Sequence, residues 1–147
     1  RTLKKIKEIV PGYGGSFEWN SNNQILHSWG CGTNCAFLRV YNLELQEVFI
    51  TLSSGGFKFS PSGDFALQFN MLGTKMWVFD FKSLLNQAVP LVYARTLHFE
   101  YDWEDCKFGE NQILFSTEPP QRIDLIKVKW QRMGPKDIGE FYERVVD

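Results

Sequence analysis

Three segments of this chain share one pattern, and that pattern restricts the possible fold more than any other feature of the sequence. Each copy starts with two aromatic residues at alternate positions, passes through a turn rich in Gly, Asn, Ser or Pro, and continues as an apolar stretch. Such a pattern is typical of a β-hairpin. The aromatic pairs are Phe17/Trp19, Phe57/Phe59 and Tyr101/Trp103.

The spacing of the copies indicates a repeat architecture. The first aromatic residue recurs after 40 residues, from Phe17 to Phe57, and after 44, from Phe57 to Tyr101. Both intervals fit the roughly 40–45 residues of a four-stranded propeller blade. Aromatic residues make up 16% of the chain, and such a composition favours strands.

We therefore predict one all-β domain over residues 1–147, built from three propeller-like antiparallel blade repeats at about 15–54, 55–98 and 99–131. The expected strands are 17–19, 24–28, 37–43, 57–60, 65–70, 76–81, 113–116 and 123–130.

The second copy resembles a known family. Its residues Phe59-Ser60-Pro61-Ser62-Gly63, followed by Trp77-Val78-Phe79-Asp80-Phe81, resemble the F-S-P-D-G … V-W-D blade pattern of WD40 and TolB-like β-propellers. The resemblance covers most of residues 15–130 and implies small antiparallel sheets stacked as blades. The third copy departs from it by an insertion around Cys106.

Three copies are too few for a closed ring, because a propeller contains typically four to eight blades. In an unclosed ring, the exposed edges of the sheets must be covered by other parts of the chain or by a second chain. Three arrangements satisfy this need: an open stack capped by the termini, two chains that self-associate into a six-bladed ring, or a chain that is a fragment. Pro135 suits the first turn of a helix, and apolar residues follow it at helical spacing, so we expect a short amphipathic helix at 135–147.

The cysteines bear on the compartment. Cys31 and Cys35 lie in the segment Trp29-Gly30-Cys31-Gly32-Thr33-Asn34-Cys35, whose composition predicts an exposed turn, where free thiols are a liability. We expect a Cys31–Cys35 disulfide and a buried Cys106 thiol. The alternatives are a bridge from either residue to Cys106, or three reduced thiols in a cytoplasmic protein. The turn is similar to one in small bacterial secreted proteins, which implies a periplasmic or secreted location.

An acidic segment follows the second copy. Its polar residues alternate with aromatic ones, so a strand here would place them all on one face. That face could be a solvated outer surface, a surface for a basic partner, a Ca²⁺ site, or a general acid and base pair. The polar residues are His98, Glu100, Asp102 and Glu104, and the aromatic ones are Phe99, Tyr101 and Trp103.

Several functional classes lack support in the sequence. The formal net charge is −1 with no block of like charge, which argues against nucleic-acid binding through phosphates. No apolar run approaches the roughly 18 residues of a membrane span. A Cys-x3-Cys pair with two histidines is too sparse for a four-ligand zinc site. Neither a Gly-x-Ser-x-Gly motif nor a phosphate loop occurs, so we expect no enzyme activity and no cofactor.

The remaining hypothesis is a protein-binding module. In propeller-like blades the loop after the second strand emerges on the same face as the blade-to-blade connections, and here those loops are 30–35, 70–74 and 116–122. The most specific form of this hypothesis is a periplasmic inhibitor or immunity-type protein that blocks a partner, such as a cell-wall-acting enzyme or a toxin. The alternatives are an intracellular propeller scaffold within a larger assembly and a Ca²⁺- or glycan-binding secreted protein. The predicted partner-binding residues are Trp29, Thr33, Asn34, Glu100, Asp102 and Glu104.

Overall fold

The computed structural model describes residues 15–32, 35–53, 57–70 and 72–132, with the backbone alone described at positions 31, 32, 35 and 53. Within these ranges the chain forms antiparallel sheets and one short 3-10 helix, so the predicted all-β class is confirmed. The helix predicted at 135–147 lies outside the described residues, as do Thr33 and Asn34.

The first sheet is a four-stranded antiparallel meander in which each strand pairs with the next along the chain. Its strands are β1 (Ser16–Trp19), β2 (Ile25–Gly32), β3 (Cys35–Tyr41) and β4 (Glu47–Ser53). In the segment 29–35, predicted as an exposed turn, residues 29–32 and 35 therefore lie in strands β2 and β3.

The second sheet repeats this meander and gains a strand at one edge. It contains β5 (Phe57–Phe59), β6 (Phe65–Phe69), β7 (Lys75–Asp80) and β8 (Leu91–Thr96), with a 3-10 helix at Phe81–Leu85 between β7 and β8. The third sheet contains β9 (Lys107–Phe108), β10 (Gln112–Phe115) and β11 (Gln121–Asp124). Strand β12 (Gln131–Arg132) then returns to the second sheet and pairs with β8.

The three sheets are stacked face to face, with the second sheet in the middle. Neighbouring residues of a strand point to opposite faces, so Ala66 of β6 joins the core shared with the first sheet, whereas Leu67 joins the core shared with the third. Phe79 and Val78 of β7 divide between the two cores in the same way, as their pairing with Ala66 and Leu67 requires. Both faces of the second sheet are therefore packed against a neighbouring sheet.

The third copy differs from the prediction. Tyr101 and Trp103 are not in a hairpin strand; they belong to the β8–β9 connection, residues 97–106, and the hairpin starts later at β9. The physical reason is a turn. The Asp102 carboxylate accepts the Glu104 N–H at 3.0 Å, and the Asp102 carbonyl accepts the Asp105 N–H at 3.1 Å. These local bonds replace a strand ladder.

The strand predicted at 123–130 is also shorter than expected. β11 ends at Asp124, whose carboxylate accepts the Ile126 N–H at 3.0 Å and whose carbonyl accepts the Lys127 N–H at 3.1 Å. An Asp that caps a turn in this way ends the extended run. Strands β4, β8, β9 and β12 are absent from the prediction.

Three connections between strands use the same asparagine turn. In each, the side-chain oxygen of an Asn accepts the N–H of the residue four positions later, at 2.8–3.0 Å. The residue three positions after the Asn has a positive φ, of 58°, 59° and 68°. These turns give the loops fixed shapes. The residues are Asn20 with Asn23, Asn42 with Leu45, and Asn70 with Gly73.

Candidate functional site

At one end of the sheet stack, hydrogen bonds tie the turns of the three sheets together. At the turn end, which carries the β1–β2, β5–β6 and β9–β10 turns, the Glu110 carboxylate accepts the Ser62 N–H at 2.9 Å and also the Ser62 hydroxyl. The Ser62 carbonyl accepts the Ser21 N–H at 3.0 Å. One turn from each sheet is thus tied to the next, and these groups are committed to the fold.

The opposite end, which we call the loop end, carries a cleft of about 710 Å³. One wall is the end of β6 and the β6–β7 loop, which contribute Phe69, Asn70, Leu72, Gly73 and Thr74. The other wall is the β8–β9 connection, which contributes Leu97, Phe99, Glu100, Tyr101 and Trp103. Its volume lies in the range of pockets that hold small ligands or short peptide segments.

A hydrogen bond joins the two walls of the cleft. The Tyr101 hydroxyl donates to the Gly73 carbonyl at 2.9 Å. Burial, with a smaller contribution from Cys106, raises the pKa of Tyr101 to about 12, so its hydroxyl stays protonated and available as a donor at neutral pH. Gly73 has a φ of +68°, and a Cβ there would lie 3.1 Å from the Tyr101 hydroxyl. Both the backbone conformation and the close approach favour glycine.

The floor of the cleft is a cluster of aromatic rings that continues into the second core. The Phe69 ring lies 5.2 Å from the Tyr101 ring and 4.6 Å, edge to face, from the Trp103 ring. Phe115 of the third sheet packs against Phe69 and Tyr101. Because these rings interlock with buried strands, the shape of the floor is set by the fold.

The Lys58 side chain holds the β8–β9 connection in place. The Lys58 ammonium donates to the Cys106 carbonyl at 2.7 Å and to the Trp103 carbonyl, and it lies 4.7 Å from the centre of the Trp103 ring. These contacts hold an irregular segment without a strand ladder.

The acidic segment has the alternation that the sequence predicts, although it is not a strand. Its polar side chains at 98, 100, 102 and 104 are exposed, and its aromatic side chains at 99, 101 and 103 are partly buried. Of the three predicted carboxylates, Glu100 lines the cleft. Asp102 shapes the turn described above, and Glu104 is exposed outside the lining.

Trp29 lies elsewhere, in a column of stacked rings on the first sheet. Its ring is 4.7 Å from the His27 ring and 4.9 Å from the Phe37 ring, and the Arg39 guanidinium lies 4.8 Å from its centre. Phe17 extends the column, stacking on His27 at 4.2 Å. Burial, and secondarily Arg39, lowers the pKa of His27. The structure therefore does not bring Trp29 into the cleft with Glu100.

The structure describes the side chain of one of the three cysteines, Cys106. Cys106 is a free, buried cysteine, and burial raises its pKa to about 11 despite an opposing effect of Lys58. Such a thiol is almost entirely protonated at neutral pH and a poor nucleophile. The side chains of Cys31 and Cys35 lie outside what the structure describes, so their disulfide remains a prediction.

The sequence predicted the loop 70–74 at this end, but of the lining residues it singled out only Glu100 as a binding residue. Leu72 is 81% exposed at the rim, and Phe69 is buried in the floor. The available signal for Leu72 is an apolar residue inside the otherwise polar turn that starts at Asn70. The aromatic alternation predicts a hairpin strand at Tyr101, and the bond of its hydroxyl to a loop 28 positions away has no local signature.

Comparison of the chain with protein-family models, curated proteins and solved structures finds no match. In the described part of the chain, no group of three or more His, Cys, Asp or Glu residues is arranged to hold a metal ion. No helix among those residues is long and apolar enough to cross a membrane.

Proposed function

We propose that this protein is a non-enzymatic protein-binding module whose partner occupies the cleft at the loop end. The observation that carries the proposal is a preformed cleft with an aromatic floor and an exposed Leu72 at its rim. Burial of a leucine side chain in a partner contributes about 1.5–3 kcal/mol. A surface already held in its binding shape loses little freedom on association.

We also propose that the three sheets are propeller-like blades. Support comes from the 40- and 44-residue spacing of the aromatic pairs and from the four-stranded meanders at β1–β4 and β5–β8. Face-to-face stacking of successive sheets is the arrangement of blades in a propeller. In such a scaffold the sheets supply rigidity and the loops at one end supply recognition.

In its most specific form, the proposal is a periplasmic or secreted inhibitor or immunity-type protein that blocks a partner enzyme or toxin. The Cys31/Cys35 spacing supports export, because a disulfide is stable in oxidising compartments. Thiol counting of the unreduced protein checks this part: one reactive thiol after denaturation supports export, and three contradict it.

The binding proposal is tested by a pull-down in which the immobilised full chain captures a partner from an extract of the source organism. We expect a protein retained by the wild type to be lost with Leu72→Glu and kept with Leu85→Glu. Leu85 is the matched control, since it is 56% exposed and lies in the 3-10 helix that follows β7. Retention by Leu72→Glu at the wild-type level, or failure of the wild type to retain any partner, contradicts the proposal.

A further inference from the structure

We infer that the cleft takes a short segment of a partner protein in which an apolar side chain is flanked by lysine or arginine. The inference rests on the proposed function and adds the chemistry of the segment that binds. Three features of the cleft lead to it: its floor, its charge and the use already made of its polar groups.

The floor selects an apolar side chain. Phe69 and Leu97 are buried there, and the rings of Tyr101 and Trp103 complete the surface. Leu72 stands at the rim with most of its side chain in water. An apolar group placed between Leu72 and the rings removes apolar area of both molecules from water.

The charge selects basic flanking residues. Glu100 is the one carboxylate among the lining residues, which include no lysine or arginine. Asp102, Glu104 and Asp105 are exposed on the same segment. Of the neighbouring cations, Lys58 is engaged by the carbonyls of Trp103 and Cys106, and the Lys75 ammonium lies 5.3 Å from the centre of the Trp77 ring. An anionic ligand would meet uncompensated repulsion, and a cationic one would meet attraction.

The polar groups argue against a sugar. The Asn70 oxygen accepts the Thr74 and Lys75 N–H groups, and its amide donates to the Thr74 hydroxyl at 2.8 Å. The Tyr101 hydroxyl is committed to the Gly73 carbonyl. A glycan needs several side chains free to bind its hydroxyls, whereas an apolar group with cationic neighbours needs a ring surface and a carboxylate.

The test uses three capped pentapeptides with the full chain: Gly-Lys-Phe-Lys-Gly, Gly-Glu-Phe-Glu-Gly and Gly-Lys-Ser-Lys-Gly. Titrations followed by amide NMR shifts should show the first peptide perturbing Leu72, Gly73 and Glu100. We expect the other two to bind at least about tenfold more weakly, because one lacks the charge and the other lacks the apolar group. Equal binding of the glutamate peptide, or shifts confined to other surfaces, overturns the inference.

Variants at exposed positions add a second measure. Glu100→Gln should weaken the first peptide about two- to fivefold, the size of an exposed ion pair. Leu72→Ser should weaken it about tenfold, as expected when most of one buried leucine is lost. Glu44→Gln, in the β3–β4 turn at the opposite end, and Leu85→Ser are the controls at exposed positions and should leave binding unchanged. Equal effects of Glu100→Gln and Glu44→Gln contradict a site at the cleft.

Failure of the inference and failure of the proposed function give different results. A partner captured in a Leu72-dependent way but not displaced by Gly-Lys-Phe-Lys-Gly leaves the binding function standing and overturns the proposed segment chemistry. Binding of the peptide in the cleft without capture of any partner supports the segment chemistry and contradicts the proposed function.

Discussion

The Tyr101 hydroxyl donates to the Gly73 carbonyl at 2.9 Å and so links the side chain of one segment to the backbone of another. A backbone bond, from the Leu97 N–H to the Thr74 carbonyl at 2.7 Å, already joins the same two segments where the connection begins. Gly73 belongs to a loop of the second sheet, and Tyr101 belongs to the connection that leads to the third. The bond fixes the width of the cleft at one point. Its effect on the cleft can be measured separately from its effect on global stability.

Tyr101→Phe removes the hydroxyl and keeps the ring. We expect a loss of about 1 kcal/mol in the free energy of unfolding, the usual contribution of one hydrogen bond. Amide hydrogen exchange of residues 72–75 should accelerate by more than this global change, because the loop opens locally. Tyr93→Phe is the control, since Tyr93 is half-buried on β8 against Trp130. Unchanged exchange in Tyr101→Phe would show that the bond does not hold the loop.

Alanine substitutions at three glycines should have graded effects. Gly63 has a φ of +75°, and its added Cβ would lie 2.9 Å from the Cβ of buried Asn20. In Gly73→Ala the added Cβ would lie 3.1 Å from the Tyr101 hydroxyl, a contact that a shift of a few tenths of an ångström relieves. Its main cost should therefore be the strain of a left-handed alanine, about 1–2 kcal/mol. Gly63→Ala should cost more, because its nearest neighbour is rigid.

Gly109→Ala is the control in that series, since its nearest contact, 3.4 Å from a flexible Gln112 carbon, is ordinary packing. We expect a change below about 0.5 kcal/mol there. Urea unfolding of the three variants gives the order, and an effect of Gly109→Ala as large as that of Gly73→Ala would contradict the steric explanation.

The sequence predicted the features of the fold that depend on short-range patterns. The pairs Phe17/Trp19 and Phe57/Phe59 lie in hairpin strands because each precedes a turn within a few residues. Tyr101 and Trp103 show the same alternation without a strand. There, the carboxylate and carbonyl of Asp102 form a turn, and the aromatic rings are buried by tertiary contacts. Alternating burial therefore does not require a strand ladder.

The features that the sequence could not predict depend on contacts between residues far apart in the chain. Strand β12 pairs two residues with β8, which lies about 40 positions earlier, and no local pattern specifies that partner. The cleft likewise needs the β6–β7 loop and the β8–β9 connection to meet. Glu100 could be identified as a candidate from its exposed acidic context, whereas the role of Leu72 emerges only when the opposite wall is present.

His27 should make stability depend on pH. It is 1% exposed, and burial followed by Arg39 lowers its pKa below the ordinary 6.5. The unfolded chain then binds a proton more readily than the native protein, so stability is fully present above about pH 6.5 and falls as the pH drops toward the lowered value. Thermal unfolding between pH 5 and 8 measures the fall.

Two variants test whether His27 is the group that causes this pH dependence. His27→Phe keeps a ring in the stack with Phe17 and Trp29 and removes the titrating group, so it should flatten the stability curve below pH 6.5. His98→Gln, at an exposed site, should leave the curve unchanged. A curve that stays steep in His27→Phe would place the titrating group elsewhere.

Leu45→Asn should stabilise the protein. Leu45 has a φ of 59° at the position of the asparagine turn that Asn23 and Gly73 occupy in the other two copies. A left-handed conformation costs a residue with a Cβ about 1–2 kcal/mol, and asparagine tolerates it better. Because Leu45 is half-buried and loses some packing, we expect a net gain of about 0.5 kcal/mol in the free energy of unfolding.

Chemical unfolding measures this gain. Leu43→Asn, at an exposed position of the same turn, is the control and should give no gain. Destabilisation by Leu45→Asn would mean that packing of the leucine outweighs the strain of its backbone.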